Sequence, residues 1–423
     1  MAGEGFDARP RGGVSYVVGD TAVPLAHVTV SALLAETVRR CPDDDAVVFR
    51  EQGVRWTWRA FAEQVDALAA GLHALGLERG DRIGIWSPNR VEWVLTQFAT
   101  ARLGLILVNI NPAYRLSELE YALNKVGCKA IVAAEAFKTS RYLEMLQTLA
   151  PELASAEPGA LNAAKLPSLR WVIRMGEAAE GNTPGMINFS DVVARGKSVP
   201  IEALDAITAT LVPDDAINIQ FTSGTTGAPK GATLTHVNVV NNARFVAMAM
   251  NLQAGDRLCI PVPLYHCFGM VMSVLTCTAT GACMVFPGEA FDPLATLRTV
   301  AEERCTQLHG VPTMFIAQLD HPDFKTFDVS SLRGGIMAGS PCPIEVMKRV
   351  VSELNLREVT IAYGMTETSP VSFQSAVTDP LDKRVTTVGR IQPHLQVKLV
   401  DGAGEVVPVG EKGELCTKGY SVM

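Results

Sequence analysis

The sequence lacks the features that mark several large protein classes. It has no run of basic residues, and its 37 Lys and Arg are outnumbered by 44 Asp and Glu, which gives a formal net charge of -7. Because a nucleic-acid-binding surface usually carries clustered Lys and Arg, we expect no nucleic-acid partner. The nine Cys form no C-x-x-C pair and do not combine with His at zinc-binding spacing. We therefore expect free, mostly buried thiols in a reducing compartment, and we predict a cytoplasmic protein.

Long apolar runs are also missing. The stretch over residues 258–288 has no Asp, Glu, Lys or Arg, but Pro261, Pro263, His266 and Gly269 interrupt it. A membrane-spanning helix needs about 20 consecutive apolar residues. The stretch therefore predicts a loop, a buried helix and a buried strand, and no transmembrane segment.

The remaining composition is ordinary, with 48% hydrophobic and 19% charged residues in a chain of 423. From residue 30 onward, helical patterns such as those over 30–40, 91–103 and 116–126 alternate with short apolar runs. Strand–helix–strand repeats predict an α/β fold in which helices cover the faces of parallel sheets. We expect two such subdomains and a small C-terminal β subdomain. The predicted divisions are an irregular leader over 1–29, a first subdomain over 30–215 with a surface insertion at 150–200, a second subdomain over 216–387 and an incomplete β subdomain over 388–423.

A hydroxyl-rich glycine loop is the strongest chemical signal. Residues 222–231 read TSGTTGAPKG and follow an apolar strand at 216–221. Glycines let the backbone approach an anion closely, and hydroxyls, main-chain N–H groups and Lys230 supply donors for phosphate oxygens. The loop is not a Walker A sequence, because Lys230 lies between Pro229 and Gly231 and no Ser or Thr follows it. A flexible surface loop is the alternative, but such loops rarely place so many donors and a Lys fixed by Pro after a buried strand.

A second segment, AYGMTET at 362–368, places a ring, a hydroxyl and a carboxylate directly after a strand. Tyr363 could stack on a purine, Thr366 could donate to a phosphate, and Glu367 could hold Mg²⁺ between phosphate oxygens. By itself this evidence is modest, because Tyr-Gly turns and helix-capping Thr-Glu pairs are common.

Two further segments carry less information by themselves. GGIMAGSP at 334–341 predicts a strand followed by a tight turn, and Pro343 suits the start of a helix. In PLYHCFG at 263–269, His266 lies among aromatic residues in an uncharged stretch. From spacing alone, that pattern is more typical of a packed core residue than of a catalyst.

Together these segments resemble the adenylate-forming superfamily, which contains acyl-CoA synthetases, nonribosomal-peptide adenylation domains and luciferases. FTSGTTGAPKGATLTH, PLYHCFG, GGIMAGSP, AYGMTET and GELCTKG occur in the order seen there, and the resemblance covers nearly the whole chain. YHCFGM, GVPTMF, AYGMTETSPVSF and VGRIQPH are most similar to the medium-chain fatty acyl-CoA synthetases. The resemblance implies an AMP-forming ligase whose substrates are a fatty acid, ATP and CoA and whose metal is Mg²⁺.

The resemblance also implies roles for individual residues. Glu367 would hold the metal, and Tyr363 would stack on the adenine. The implied acyl pocket consists of His266, Phe268, Val311, Gly339 and Gly364, and the implied catalytic residues are Thr225, Lys230, His266, Thr366 and Glu367. The implied ATP-binding residues are Thr222, Ser223, Gly224, Thr225, Thr226, Gly227, Ala228, Pro229 and Lys230 around the β- and γ-phosphates, Gly339, Ser340, Pro341 and Tyr363 at the adenine, Thr366 at the α-phosphate, and Gly364 and Met365 between Tyr363 and Thr366.

The sequence departs from the superfamily after GELCTKGYSVM. The superfamily continues into an Asp that binds the ribose, a hinge and a lid domain with a catalytic Lys, so we expect these 423 residues to bind ATP but to turn over poorly. Four alternatives stay open: a ligase of the same superfamily for an aromatic or dicarboxylic acid, a ligase that loads a carrier protein, a P-loop kinase, and a non-catalytic nucleotide-binding fragment. A homodimer is a possible assembly.

Overall fold

The computed structural model describes residues 9–10, 12–176, 183–222 and 228–423. These residues form two large sheets, a small C-terminal sheet, a two-stranded sheet and helices that pack on the sheet faces, which confirms the predicted α/β class. Among their helices, none combines the length and the apolar character needed to cross a bilayer.

The strands are short, and the central ones are fully buried apolar segments, as expected when helices cover both faces of a parallel sheet. In chain order the strands are β1 (Tyr16–Val18), β2 (Asp45–Phe49), β3 (Val54–Thr57), β4 (Arg82–Trp86), β5 (Ile106–Asn109), β6 (Cys128–Ala133), β7 (Ala136–Phe137), β8 (Ser140–Arg141), β9 (Trp171–Arg174), β10 (Ile187–Asn188), β11 (Ala216–Thr222), β12 (Lys230–Thr235), β13 (Arg257–Cys259), β14 (Cys283–Phe286), β15 (Gln307–Gly310), β16 (Gly334–Ala338), β17 (Glu358–Gly364), β18 (Val371–Gln374), β19 (Arg390–Ile391), β20 (Leu395–Val400) and β21 (Glu414–Gly419).

Capping residues set several helix ends. The Thr29 hydroxyl accepts a hydrogen bond from the Ala32 N–H at 3.1 Å, and Gly104 ends another helix with φ of +69°. The helices are α1 (Val30–Arg40), α2 (Trp58–Ala74), α3 (Val91–Leu103), α4 (Leu116–Val126), α5 (Tyr142–Leu149), α6 (Phe189–Arg195), α7 (Ile201–Thr208), α8 (His236–Ala249), α9 (Cys267–Gly269), α10 (Thr276–Thr280), α11 (Pro293–Glu302), α12 (Pro312–Leu319), α13 (Ile344–Glu353) and α14 (Leu381–Thr386). A π-helical segment, Met270–Leu275, joins α9 to α10.

The two large sheets are mainly parallel. The first has the strand order β10-β9-β6-β4-β5-β11-β12, in which only the β11–β12 pair is antiparallel. The second has the order β19-β18-β17-β16-β15-β13-β14-β2-β3, and its antiparallel pairs lie at the two edges. Both sheets therefore present a row of parallel carboxyl ends, where ligands bind in such folds.

The sheets divide the chain differently from the predicted subdomains. Strands β11 and β12 lie after the predicted boundary at 215–216, yet they pair with β5 of the first sheet. The β2–β3 hairpin lies in the predicted first subdomain, yet β2 pairs in parallel with β14 of the second sheet. The sheets differ from the predicted subdomains because long-range strand pairing, and not the order of elements along the chain, decides which sheet a strand joins.

The leader and the 150–200 segment also need correction. Strand β1 lies inside the predicted irregular leader and pairs antiparallel with β20, so the small C-terminal sheet has the order β1-β20-β21. Strands β9 and β10 extend the first sheet from the predicted insertion. Leu161, Leu166 and Leu169 of that segment are each 1% exposed. These leucines therefore belong to the core, although the Ala, Pro and Gly content of the segment is typical of a surface loop.

Candidate active site

A cleft opens between the carboxyl ends of the two large sheets. Thr222 ends β11 of the first sheet, and Ala338 and Gly364 end β16 and β17 of the second. Its volume of about 570 Å³ is in the range of small-molecule sites. The lining residues are Asn109, Asn111, Tyr114, Gln220, Phe221, Thr222, Pro229, Tyr265, His266, Phe268, Met272, Ala338, Gly339, Ala362, Tyr363, Gly364, Met365, Thr366, Glu367, Pro370 and Val371.

A hydrogen bond joins the two sides of the cleft. The Thr222 hydroxyl donates to Oε1 of Glu367 at 3.1 Å. Lys230 lies directly opposite Thr222 in the β11–β12 pair. The start of the glycine loop, its Lys and the proposed metal carboxylate are therefore neighbours, although they are up to 145 residues apart in sequence.

The part of the glycine loop that follows residue 227 runs along the edge of the cleft. Pro229 lines the cleft, whereas Ala228 and Lys230 are exposed and are not among its lining residues. The Tyr121 hydroxyl of α4 donates to the Pro229 carbonyl oxygen at 3.1 Å, which ties this part of the loop to the first sheet's helical layer. The predictions made for Ser223, Gly224, Thr225, Thr226 and Gly227 lie outside the described residues.

The segment after β17 supplies an aromatic ring and a tight turn. The Tyr363 side chain is 40% exposed, and its ring lies beside Phe373 with the centroids 6.3 Å apart. A Cβ on Gly364 would lie 1.7 Å from the Pro370 carbonyl oxygen, so only glycine allows the two backbones to approach this closely. Thr366 and Glu367 follow in a short 3₁₀ helix, Thr366–Thr368.

His266 lies in the cleft and not in the core, so the expectation from spacing alone was wrong. Its Nδ1 accepts a hydrogen bond from the Phe268 N–H at 3.1 Å and caps α9. His266 is exposed to the cleft, and desolvation lowers the pKa of its ring. The neutral imidazole must carry its proton on Nε2, because Nδ1 is an acceptor.

Buried amide side chains of β5 and β11 hold the loop that contains His266. The Asn109 amide donates to the Tyr265 carbonyl oxygen at 2.9 Å and accepts from the Asn218 amide at 2.9 Å. The Gln220 amide donates to Asn218 at 2.8 Å and accepts from the Cys267 thiol at 3.1 Å. Burial raises the pKa of Cys267 to about 12, so this thiol is a packed donor and not a nucleophile.

An apolar wall extends the cleft beside these polar groups. Phe268, Met272 and Val371 contribute side chains to it. Gly339 has φ of +90°, and a Cβ there would lie 3.1 Å from Cγ1 of Val311. Val311 therefore supports the wall from behind. Ser340 and Pro341, which the resemblance assigns to the adenine slot, are exposed and do not line the cleft.

The oxygen atoms at the polar end suit Mg²⁺ better than a transition metal. Glu367 and Thr222 supply a carboxylate and a hydroxyl at hydrogen-bond distance from each other. In the part of the chain that the structure describes, no group of three or more His, Cys, Asp or Glu could form a metal cage. Mg²⁺ is commonly held by one or two carboxylates together with substrate phosphates, and this donor set fits that pattern.

Sequence reasoning missed several lining residues. Asn218 and Gln220 alternate with apolar residues in β11, AINIQFT, and both are almost fully buried. Buried amides at alternate positions of a strand that ends in a glycine loop were a usable signal. Tyr114, Tyr265 and Met272 carried no comparable signal, because aromatic residues and Met in apolar segments are typical of any core.

A second cavity of about 510 Å³ adjoins the cleft and shares Asn111 and Tyr265 with it. Two cations, Arg115 and Lys138, and one carboxylate, Glu289, line this cavity. A more open depression of about 800 Å³ lies elsewhere, along residues 154–158 and 183–195. Its lining includes none of the residues that the four sequence segments predict.

The sequence matches the family of AMP-binding enzymes over residues 34–423. The chain belongs to the AMP-binding enzyme family. It is 47% identical over 412 residues to the mitochondrial medium-chain acyl-CoA ligase ACSF2 of Danio rerio, a match that covers 97% of the chain and 67% of that relative. It is 45% identical over 400 residues to the putative acyl-CoA synthetase YngI of Bacillus subtilis (strain 168), covering 94% of the chain and 72% of that relative.

Solved structures of other proteins share this fold. The anthranilate CoA ligase AuaEII in complex with anthranoyl-AMP superposes with a TM-score of 0.81 at 23% identity, over 95% of this chain and 71% of that one. The N-terminal domain of FACL13 from Mycobacterium tuberculosis gives a TM-score of 0.78 at 24% identity, over 93% of this chain and 89% of that one. At these identities the likeness concerns the fold alone.

Proposed function

We propose that this AMP-binding enzyme activates a fatty acid of medium chain length with ATP, forming acyl-AMP and then acyl-CoA. The observation that carries the proposal is one cleft that contains the start and end of the glycine loop, an exposed Tyr ring, a metal-suited carboxylate and an apolar wall. The names of the relatives from Danio rerio and Bacillus subtilis support the same activity.

In the first half-reaction the fatty-acid carboxylate attacks the α-phosphorus of ATP and pyrophosphate leaves. No protein nucleophile is needed, so the protein acts by positioning the reactants and by stabilising charge on the phosphoryl oxygens. Thr222, Thr366 and Lys230 would donate to those oxygens. Glu367 would hold Mg²⁺, which when bound neutralises part of the triphosphate charge.

In this proposal His266 would orient the attacking carboxylate. Its neutral ring has a proton on Nε2, since Nδ1 is occupied by the Phe268 N–H. A neutral N–H donor can hold one carboxylate oxygen without forming the strong ion pair that would reduce the nucleophilicity of the acid. The lowered pKa of His266 favours this neutral form of the donor.

The apolar wall favours a substrate with one carboxylate and a hydrocarbon tail. Among the described residues that line the cleft, none is Lys or Arg. A dicarboxylic acid would place its second charge against Phe268, Met272 or Val371, and burying an unpaired carboxylate is costly. This charge distribution is the reason for preferring a fatty acid to the dicarboxylic alternative.

The adjoining cavity offers CoA a route that is separate from that of ATP. It opens beside Tyr265, next to the residue proposed to orient the carboxylate, and it carries Arg115 and Lys138. Cations suit the phosphates of CoA, and a connected cavity would let the thiol reach the acyl carbon of the adenylate.

The cellular location stays a prediction, and the Danio rerio relative is named as mitochondrial.

Glu367→Gln tests the metal assignment. The variant keeps the side-chain size and removes the charge, so the dissociation constant of ATP measured with Mg²⁺ should rise about tenfold or more, as expected for an interaction with a charged group worth about 1.5–3 kcal/mol. Affinity for ATP without Mg²⁺ should change little. Glu353→Gln is the matched control, because that carboxylate bonds Arg349 at 2.8 Å on the surface of α13. Equal Mg²⁺-dependent affinities in all three proteins would remove Glu367 from the site.

A panel of acids tests the substrate class. Pyrophosphate release with ATP should be fastest with medium-chain fatty acids and slow with dicarboxylic acids of the same length. AMP should form, and ADP would indicate a kinase instead. A preference for an aromatic acid, or acyl transfer only to a carrier protein, would replace the fatty-acid assignment while keeping the adenylation chemistry.

A further inference from the structure

Helix α8 contains two adjacent asparagines, Asn241 and Asn242, that are both fully buried. Asn is a poor helix former and an expensive residue to bury without partners. The oxygen and the nitrogen of each amide nevertheless have partners, because each amide pairs with both main-chain groups of one distant residue in the way that a neighbouring strand would.

The partners of the two asparagines differ. The Asn241 amide accepts from the Ala26 N–H at 2.7 Å and donates to the Ala26 carbonyl oxygen at 2.9 Å. The Asn242 amide accepts from the Val371 N–H at 3.1 Å and donates to the Val371 carbonyl oxygen at 2.8 Å. Ala26 lies just before α1 and is not among the residues lining the cleft, whereas Val371 lines the cleft.

A chain of hydrogen bonds leads from Val371 to the proposed metal carboxylate. Pro370 directly precedes Val371, and its carbonyl oxygen accepts from the Met365 N–H at 3.0 Å and from the Thr368 hydroxyl at 2.8 Å. These two bonds close the turn that carries Glu367, and the Glu367 carboxylate accepts from Thr222. Fixing the backbone of Val371 therefore fixes where this carboxylate meets the glycine loop.

We infer that Asn242 is a positioning residue for adenylation, which holds the 365–370 turn so that Glu367 faces the phosphates of ATP. Asn242 is not among the residues that line the cleft, so its effect passes through Val371 and Pro370. The inference rests on the proposed function, since it takes Glu367 as the residue that holds Mg²⁺.

Asn241 provides a matched control, because it has the same burial, the same helix and the same two-sided pairing. Asn241→Ala and Asn242→Ala should both lower the thermal midpoint, since each leaves a main-chain N–H and C=O without their side-chain partner. Only Asn242→Ala should raise the Mg²⁺ concentration needed for half-maximal ATP binding, by about five- to tenfold as one lost pair of neutral hydrogen bonds allows. A purely structural role would lower both midpoints and leave the Mg²⁺ dependence unchanged.

Titration calorimetry of ATP at several Mg²⁺ concentrations, with thermal melts of the same samples, separates the outcomes. Equal Mg²⁺ dependence in Asn242→Ala and the unaltered protein would overturn the inference alone. If ATP binding by the unaltered protein does not depend on Mg²⁺, that result would overturn both the proposed metal role and the inference. If Asn242→Ala does not fold, Asn242→Asp serves instead, because it retains the acceptor for the Val371 N–H. Its Mg²⁺ dependence should also shift, and an unchanged value in folded Asn242→Asp would overturn the inference.

Discussion

Replacing His309 should change the pH dependence of stability, because this histidine is buried without charge behind the apolar wall. It is 0% exposed, and its ring lies 5.3 Å from the ring of Phe268. Ser273 donates its hydroxyl proton to the Phe268 carbonyl oxygen at 2.8 Å and is 2.9 Å from Nδ1 of His309. The proton between the ring and Ser273 must therefore come from Nδ1, which leaves Nε2 as a buried acceptor without a partner among the residues that the structure describes.

The magnitude follows from the two pKa values of His309. Burial lowers the pKa in the folded protein to about 3, whereas an unfolded histidine titrates near 6.5. Between these values the unfolded state binds a proton that the folded state does not, so stability falls as the pH decreases from about 6.5 towards about 3. At about pH 5 the loss from this group is about 2 kcal/mol, from about 1.36 kcal/mol per unit over about 1.5 units.

His309→Leu should reverse its effect with pH. Near pH 7.5 the variant should be about 1 kcal/mol less stable than the unaltered protein, because it loses one hydrogen bond. Near pH 5 it should be about 1 kcal/mol more stable, because it no longer pays the protonation penalty of about 2 kcal/mol. Urea unfolding followed by Trp fluorescence at the two pH values measures both differences.

The contribution of other titrating groups cancels when the two proteins are compared at one pH. His27→Asn controls for the loss of an imidazole on the surface, since His27 is exposed. A His309→Leu deficit of the same size and sign at both pH values would show that His309 is not held neutral by burial.

Two further substitutions test how closely the backbone around the cleft is fixed. Gly364→Ala should destabilise the protein by about 1–3 kcal/mol and weaken ATP binding. Gly402→Ala is the control and should do neither, because a Cβ there meets nothing within 4 Å. Differential scanning calorimetry and ATP titration of both variants measure the two effects. Tyr121→Phe removes the hydrogen bond to the Pro229 carbonyl and should raise the dissociation constant of ATP about two- to tenfold, for a bond worth about 0.5–1.5 kcal/mol. Tyr16→Phe, which removes a surface hydroxyl that bonds Gln396, should leave ATP affinity unchanged, and equal affinities in both Tyr variants would show that Tyr121 does not hold the loop.

Local patterns predicted the elements better than the sheets. Helices α1, α3 and α4 begin and end at the predicted residues, because an amphipathic or apolar segment bounded by a capping Thr, a Gly or a Pro carries its own boundaries. Helix α2 begins at Trp58 directly after β3, since the Thr57 hydroxyl accepts a hydrogen bond from the Ala60 N–H and caps the helix. Sheet membership was less accessible, because β2, β11 and β12 find their neighbours through contacts that no local pattern encodes.

The candidate site shows the same division. Glu367, Thr222 and Tyr363 could be selected from sequence because their functional groups lie beside glycines in short segments, and the structure brings all three to one cleft. His266 could not be selected by spacing, since a ring in an apolar stretch gives no sign of whether it faces a core or a cleft. Its position in the cleft depends on tertiary contacts, since amides of β5 and β11 hold the loop that contains it.

Buried amides around this cleft hold in place the loops on which adenylation depends. The reacting groups lie on loops, and loops have few main-chain partners of their own. Asn89 pairs with the His266 loop as Asn242 pairs with Val371, since its amide accepts from the Leu264 N–H at 2.8 Å and donates to the Val262 carbonyl oxygen at 2.9 Å. Each amide replaces a missing strand neighbour, so the loop is fixed before ATP arrives and little ordering is left to oppose binding. The same reasoning predicts that Asn89 variants disturb the carboxylate end of the cleft and Asn242 variants the metal end.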